Sequence, residues 1–224
     1  MTRYEVAAGF HLNVDVAGSG PPLVLLHGFT GSARSWGPFG EALAASFTTI
    51  AVDIVGHGRS DAPPTIDHYR MPRAVAGIVR AVELAGYRRA HWLGYSMGGR
   101  TALHVAAGHP RAVGRLVLIG ASPGMLDPAE RAARIAADEA LAARIEREGI
   151  EAFVDYWEHI PLFATQHRLP AEVRDRIRAG RLDSDPTGLA NSLRGMGAGA
   201  QEPVHAQLAT MTMPALILAG SEDA

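Results

Sequence analysis

Leu23-Val24-Leu25-Leu26 is apolar at every position, and Thr48 to Asp53, Arg115 to Ile119 and Ala215 to Leu218 are largely so. Leu23–Leu26 and Thr48–Asp53, apolar without alternation, predict strands buried on both faces, and the other two runs predict further strands. Between them the apolar spacing changes. Ser35 to Ala45 reads as a helix, as does Pro72 to Ala85, where Val75, Ile78, Val79 and Val82 share one face. At the start of the chain, Tyr4–Ala8 and His11–Val16 alternate loosely about Gly9, which predicts a hairpin, and Pro21-Pro22 then interrupts. Strands alternating with helices imply a mostly parallel sheet with right-handed crossovers and helices on both faces.

That rhythm stops from about residue 123 to residue 210. The stretch is rich in Ala, Arg and Glu, carries helical patterns and offers no convincing strand. Leu126–Arg147 predicts one long amphipathic helix, with Asp127 as N-cap and Pro128 in the first turn. The organisation expected is a core over 1–122, a helical lid over 123–210 and a return to the core over 211–224. Such a lid would cover the carboxyl edge of the sheet, where open α/β sheets bind ligands. Residues 128–200 hold ten arginines and twelve acids. Most such arginines form solvated i,i+4 pairs worth tenths of a kcal/mol. A functional role requires some of them to point into the cleft.

Composition narrows the chemistry. The chain has 224 residues, 47% of them apolar and 20% charged, with a net charge of −2. These values fit one globular domain with an insert, and give no field for nucleic acid or an anionic membrane surface. All 21 basic residues are arginine, which excludes lysine Schiff-base and P-loop lysine chemistry. Without cysteine there is no thiolate nucleophile or disulfide. The first residues lack a signal peptide's apolar segment, and no apolar run reaches the roughly 20 residues of a membrane span. A soluble, cytoplasmic protein is expected, either a monomer or a small homo-oligomer.

The decisive motif is Gly94-Tyr95-Ser96-Met97-Gly98. It follows the apolar run Ala90–Leu93 and opens a helical run, Thr101 to Ala107. Strand, G-x-S-x-G, helix is the nucleophile elbow of the α/β-hydrolase fold, and it lifts Ser96 to the rim of the sheet. His27-Gly28-Phe29 follows the strand Leu23–Leu26, where that fold builds an oxyanion hole; the N–H groups of Phe29 and Met97 would converge on developing negative charge. Arg100 sits one turn after Ser96 on the same helix face. His57, between Gly56 and Gly58, and His27 read as residues that hold turns, because triad order in this fold is serine, acid, histidine. An acid at the end of strand Ala215–Leu218 stands where the triad carboxylate belongs. Every histidine precedes that position, so the partner histidine is expected beyond residue 224, together with a further strand-helix unit.

Larger blocks carry a resemblance. Leu26-His27-Gly28-Phe29-Thr30-Gly31-Ser32, Gly94 to Arg100, Tyr156-Trp157-Glu158 with Pro161-Leu162-Phe163, and Ser192-Leu193-Arg194-Gly195-Met196-Gly197 resemble the MenH family of menaquinone biosynthesis, from about residue 20 onward. The resemblance implies a lyase that takes a proton from an enolpyruvyl-cyclohexene carboxylate and eliminates pyruvate, with no metal or organic cofactor. It implies Ser96 as the triad-activated base, Asp223 (rather than Glu222) as the triad acid, and Phe29 and Met97 as oxyanion donors. Tyr95, Arg100, Arg134, Trp157 and Arg181 would contact a small polycarboxylate substrate. From periodicity alone Trp157 reads as core. The chain departs from the family pattern at Ser221, where a Glu is usual, and in lacking the family's histidine. The 224-residue chain alone is therefore expected to release no pyruvate. Two other readings use the same residues: a serine esterase or C–C hydrolase working through an acyl-enzyme, and a non-catalytic binding protein.

Overall fold

The structure, a computed structural model, describes residues 2–221. Thr2–Ala7 (β1) and Phe10–Ala17 (β2) form the expected hairpin, turning at Gly9 with φ 68°. Pro22–Leu26 (β3), Thr48–Val52 (β4), Ala90–Tyr95 (β5), Val113–Ile119 (β6) and Ala215–Leu218 (β7) complete a sheet of order β1-β2-β4-β3-β5-β6-β7 among the described residues. The hairpin joins antiparallel, through β2 against β4, and all other pairings are parallel.

Strand pleating sorts the apolar runs between two layers. Leu23, Leu25, Ala51 and Leu93 face one way and pack under Trp36, Leu43 and Phe47, the side of helix α1 (Gly37–Ala44). Val24, Leu26, Ile50, Val52 and Trp92 face the other way, against Ile78 and Val82 of α2 (Met71–Leu84) and Val105 of α3 (Met97–Gly108). Each fully buried Leu or Ile contributes about 2 kcal/mol by leaving water. One element differs from expectation. The helix predicted from Ser35 is a 3₁₀ turn over Ala33–Trp36 followed by α1, because Gly37 takes φ 41° and Pro38 fits only a first turn.

Between β6 and β7 the described chain is helical: α4 (Pro128–Trp157), α5 (Ala171–Leu182), α6 (Pro186–Met196) and α7 (His205–Leu208). Asp127 caps α4, its Oδ1 accepting from the N–H groups of Ala129 (2.9 Å) and Glu130 (2.8 Å). The helix runs past the expected end at Arg147. It breaks at Gly149 (φ 80°, ψ 176°) and restarts to reach Trp157, a change of phase that a single period does not reveal. Helix α6 fastens this insert to the core. Gly188 lies against Gly56, and Asn191 Nδ2 donates to Pro64 O at 3.2 Å. A Cβ on Gly188 would sit 2.2 Å from Gly56 O, with backbone on both sides. Gly188→Ala is therefore expected to lower stability by about 2 kcal/mol or more, measured from the urea midpoint. An unchanged midpoint would show that this seam can spread.

Candidate active site

Ser96 joins β5 to α3 with φ 52° and ψ −116°. Among the described residues it is one of two non-glycine positions with positive φ, the other being Thr30. Such a conformation costs about 1–3 kcal/mol and persists only where neighbours enforce it. Here Ser96 N–H donates to Ile119 O (2.8 Å) and Ser96 O accepts from Arg100 N–H (2.9 Å). The turn is also pressed onto β3. A Cβ on Gly98 would lie 2.1 Å from Leu26 O, and one on Gly94 would lie 2.2 Å from Gly98 O. Glycine at both positions is what lets the chain turn this tightly and project the serine upward.

The two proposed oxyanion donors come from adjacent segments. Met97 is the first residue of α3, so its N–H has no carbonyl within the helix to bond. Phe29 follows β3 in a turn closed by Gly31 N–H to Gly28 O at 3.0 Å, and its own N–H makes no backbone bond among the described residues. The Phe29 ring packs edge-on against Trp157 at 5.5 Å and belongs to both the sheet core and the core of the helical insert.

His27 and His57 hold these turns. His27 Nδ1–H donates to Gly28 O (2.8 Å) and its Nε2 accepts from Ile54 N–H (3.0 Å), which sets the tautomer. Burial lowers its pKa to about 4. His57 donates from Nδ1 to Val55 O (3.0 Å), and burial, then the nearby His27, lower its pKa to about 3. Asp53 anchors the same loops, accepting from Asn13 Nδ2 (2.9 Å) and the N–H groups of Ala33 (2.5 Å) and Arg59 (2.9 Å). Among the described residues no histidine hydrogen-bonds to Ser96. Asp223 lies outside the described residues.

A cavity of about 640 Å³ opens above the elbow. Ser96, Met97 and Phe29 line it, as do Arg100, Arg134 and Trp157, so six of the expected site residues share one space. Arg100 is partly buried, and its Nη1 donates to Met196 O (3.0 Å) and Gln201 Oε1 (2.8 Å). Burial, and then Arg134, lower its pKa to about 10, which leaves it cationic at neutral pH. Arg134 donates from Nε to Asp138 Oδ1 at 2.9 Å, leaving its terminal nitrogens without a protein partner among the described residues. Burial raises the Asp138 pKa, opposed by Arg134 and Arg100. Trp157 is both core and wall: it stacks on Phe153 at 5.5 Å and 27°, and its other side meets the cavity.

Tyr95 and Arg181 stand apart from this lining. Tyr95, half exposed, ends β5 with its ring beside Gly28. Arg181 is buried over the Phe163 ring (4.6 Å), donates to Gln166 Oε1 (3.0 Å) and lines a smaller cavity of about 210 Å³ with Glu158 and Arg178. Burial lowers its pKa, with Glu158 and Tyr95 opposing, which puts Arg181 within electrostatic reach of Tyr95. Sequence reasoning did not single out Asp138, Arg144 or Ser192, all of which line the larger cavity. The i, i+3, i+7, i+10 spacing of Arg134, Ala137, Leu141 and Arg144 was the available signal.

A family profile described as the alpha/beta hydrolase fold matches residues 21–224. A Bacillus subtilis (strain 168) protein provisionally named 2-succinyl-6-hydroxy-2,4-cyclohexadiene-1-carboxylate synthase is 42% identical over 212 residues, 93% of this chain and 77% of its own. The chain belongs to the MenH family of α/β hydrolases. The Serratia proteamaculans (strain 568) protein of the same name is 31% identical, over 91% of this chain and 77% of its own. The solved structure of MenH from S. aureus superimposes with a TM-score of 0.86 at 32% identity, covering 94% of this chain and 80% of that one. Family membership agrees with the elbow and with the sheet order. Among the described residues no helix is long and apolar enough to cross a membrane.

The two turn histidines make stability depend on pH. Their folded pKa values lie below the unfolded value of 6.5. As pH falls below 6.5 the unfolded chain takes up protons that the folded chain refuses, so stability is lost down to about pH 4 for His27 and about pH 3 for His57. The urea midpoint of the wild type is expected to fall more steeply across this window than that of His27→Gln. Parallel curves would contradict the assignment.

Proposed function

We propose that the chain is a soluble cytoplasmic lyase that converts 2-succinyl-5-enolpyruvyl-6-hydroxy-3-cyclohexene-1-carboxylate into 2-succinyl-6-hydroxy-2,4-cyclohexadiene-1-carboxylate and pyruvate. The observation that carries this reading is a cavity lined by Ser96 together with Arg100, Arg134 and Arg144. Guanidinium forks are suited to a substrate with several carboxylates. In this scheme Ser96 removes a ring proton after an imidazole oriented by Asp223 draws off its own. A carbon–carbon double bond forms, the enolpyruvyl C–O bond breaks, and the expelled enolate is protonated to pyruvate. The N–H groups of Phe29 and Met97 hold the negative charge that builds up on the substrate. Arg100 and Arg134 take carboxylates, Trp157 walls the ring, and Tyr95 and Arg181 complete the far side. Residues 123–210 act as the lid, and no cofactor takes part.

The test is pyruvate release by the gene product from the enolpyruvyl substrate, coupled to lactate dehydrogenase. Ser96→Ala is expected to lower kcat/KM by about a thousandfold or more, with the fold intact by circular dichroism. Arg134→Ala is expected to act mainly on KM. Burst kinetics on a p-nitrophenyl ester, without pyruvate release, would replace the lyase reading with the acyl-enzyme one.

A further inference from the structure

The relatives' product name describes two carboxylates, one on the ring and one at the end of a succinyl arm. Helix α4 presents two arginines to the Ser96 cavity, Arg134 and Arg144. They lie ten positions apart, a rise of about 15 Å along a helix. Long side chains leaning toward each other from such a spacing can hold the two ends of one small diacid.

The two arginines are prepared in the same way. Arg134 Nε donates to Asp138 one turn on, at 2.9 Å. Arg144 Nε donates to Glu148 one turn on, at 2.7 Å. In each case the acid occupies the side of the guanidinium and leaves the terminal nitrogens without a protein partner among the described residues. A carboxylate bonds bidentately to such an open edge. Glu148 also accepts from Arg147 Nη2 at 2.7 Å, so its charge is shared and the Arg144 charge is only partly offset. The Arg144 guanidinium carbon lies 4.1 Å from the centre of the Tyr156 ring, and both residues line the cavity. That stacking holds the plane of the fork.

We propose that Arg144 is a specificity-determining residue that binds the distal carboxylate of a dicarboxylate ligand, while Arg134 takes the proximal one. The inference rests on the reading of the cavity as a carboxylate site and adds which residue measures the ligand's second acid. Glu148 orients Arg144 and does not itself meet the ligand.

Calorimetry with two stable probes tests it: 2-succinylbenzoate, and 2-butyrylbenzoate, which ends the same keto chain in a methyl group. Arg144→Gln is expected to weaken 2-succinylbenzoate about tenfold and to leave 2-butyrylbenzoate within twofold of wild type. Arg144→Lys, which keeps the charge but loses the fork, is expected to fall between. Arg134→Gln is expected to weaken both probes. Equal weakening of both probes by Arg144→Gln, weakening of neither, or a wild type that cannot tell the probes apart would overturn the proposal. Pyruvate release measured in parallel separates the two readings. Selective loss of 2-succinylbenzoate binding in Arg144→Gln, with no pyruvate release by the full-length wild-type gene product, would support Arg144 and end the lyase reading. Pyruvate release without probe selectivity would do the reverse.

Discussion

Three backbone segments meet at the elbow with no space for a side-chain carbon between them. Gly94 presses on Gly98, and Gly98 presses on the end of β3. This steric closure fixes Ser96 in a left-handed conformation that the chain would not otherwise choose. Everything else at the site is placed relative to it. The same contact brings the start of α3 near the turn that carries Phe29, and Phe29 and Met97 line one cavity. Parallel pairing of β3 with β5 supplies the alignment: Leu26 stands opposite Gly94 at the rim of the sheet. The geometry of the elbow and the fold are here one packing problem.

The site's electrostatics follow from burial. Arg100 is held by two neutral oxygens, Met196 O and Gln201 Oε1, so its charge is oriented without being cancelled. Arg134 does meet a carboxylate, but only at Nε. By contrast, Arg194 and Arg178 are spent on Glu139, Glu146, Asp155 and Glu158. Both classes look alike in composition; partner geometry separates them.

That difference explains what could be read from the chain and what could not. The elbow, the buried strands and the Asp127 cap are local: each depends on a few adjacent residues, and each stands where the pattern put it. The direction of a lid arginine is not local. It depends on helix phase, on where α4 breaks, and on how α6 seats against Gly56 and Tyr69. Arg144 went unnoticed for that reason, and the extension of α4 beyond Gly149 was missed because a left-handed residue resets the period. Arg100, Arg134 and Trp157 were placed through family resemblance, and periodicity alone would have put Trp157 in the core. Tyr95 and Arg181 were expected beside the others; neither lines the main cavity, Tyr95 lying beside Gly28 and Arg181 over the Phe163 ring. Asp223 rests on its motif alone.

The break at Gly149 has a mechanical consequence. No side chain or backbone would crowd a Cβ at this position, so glycine is required there by torsion and not by space. One end of α4 is tied to α6 by Arg194 bridging Glu139 and Glu146, while the segment beyond the break carries Tyr156 and Trp157. The angle between the two halves of α4 is thus set by a single pair of torsions, and the wall beyond it is held in place by Phe153 and Val154, both fully buried, and by the ion pairs of Arg178 with Asp155 and Glu158.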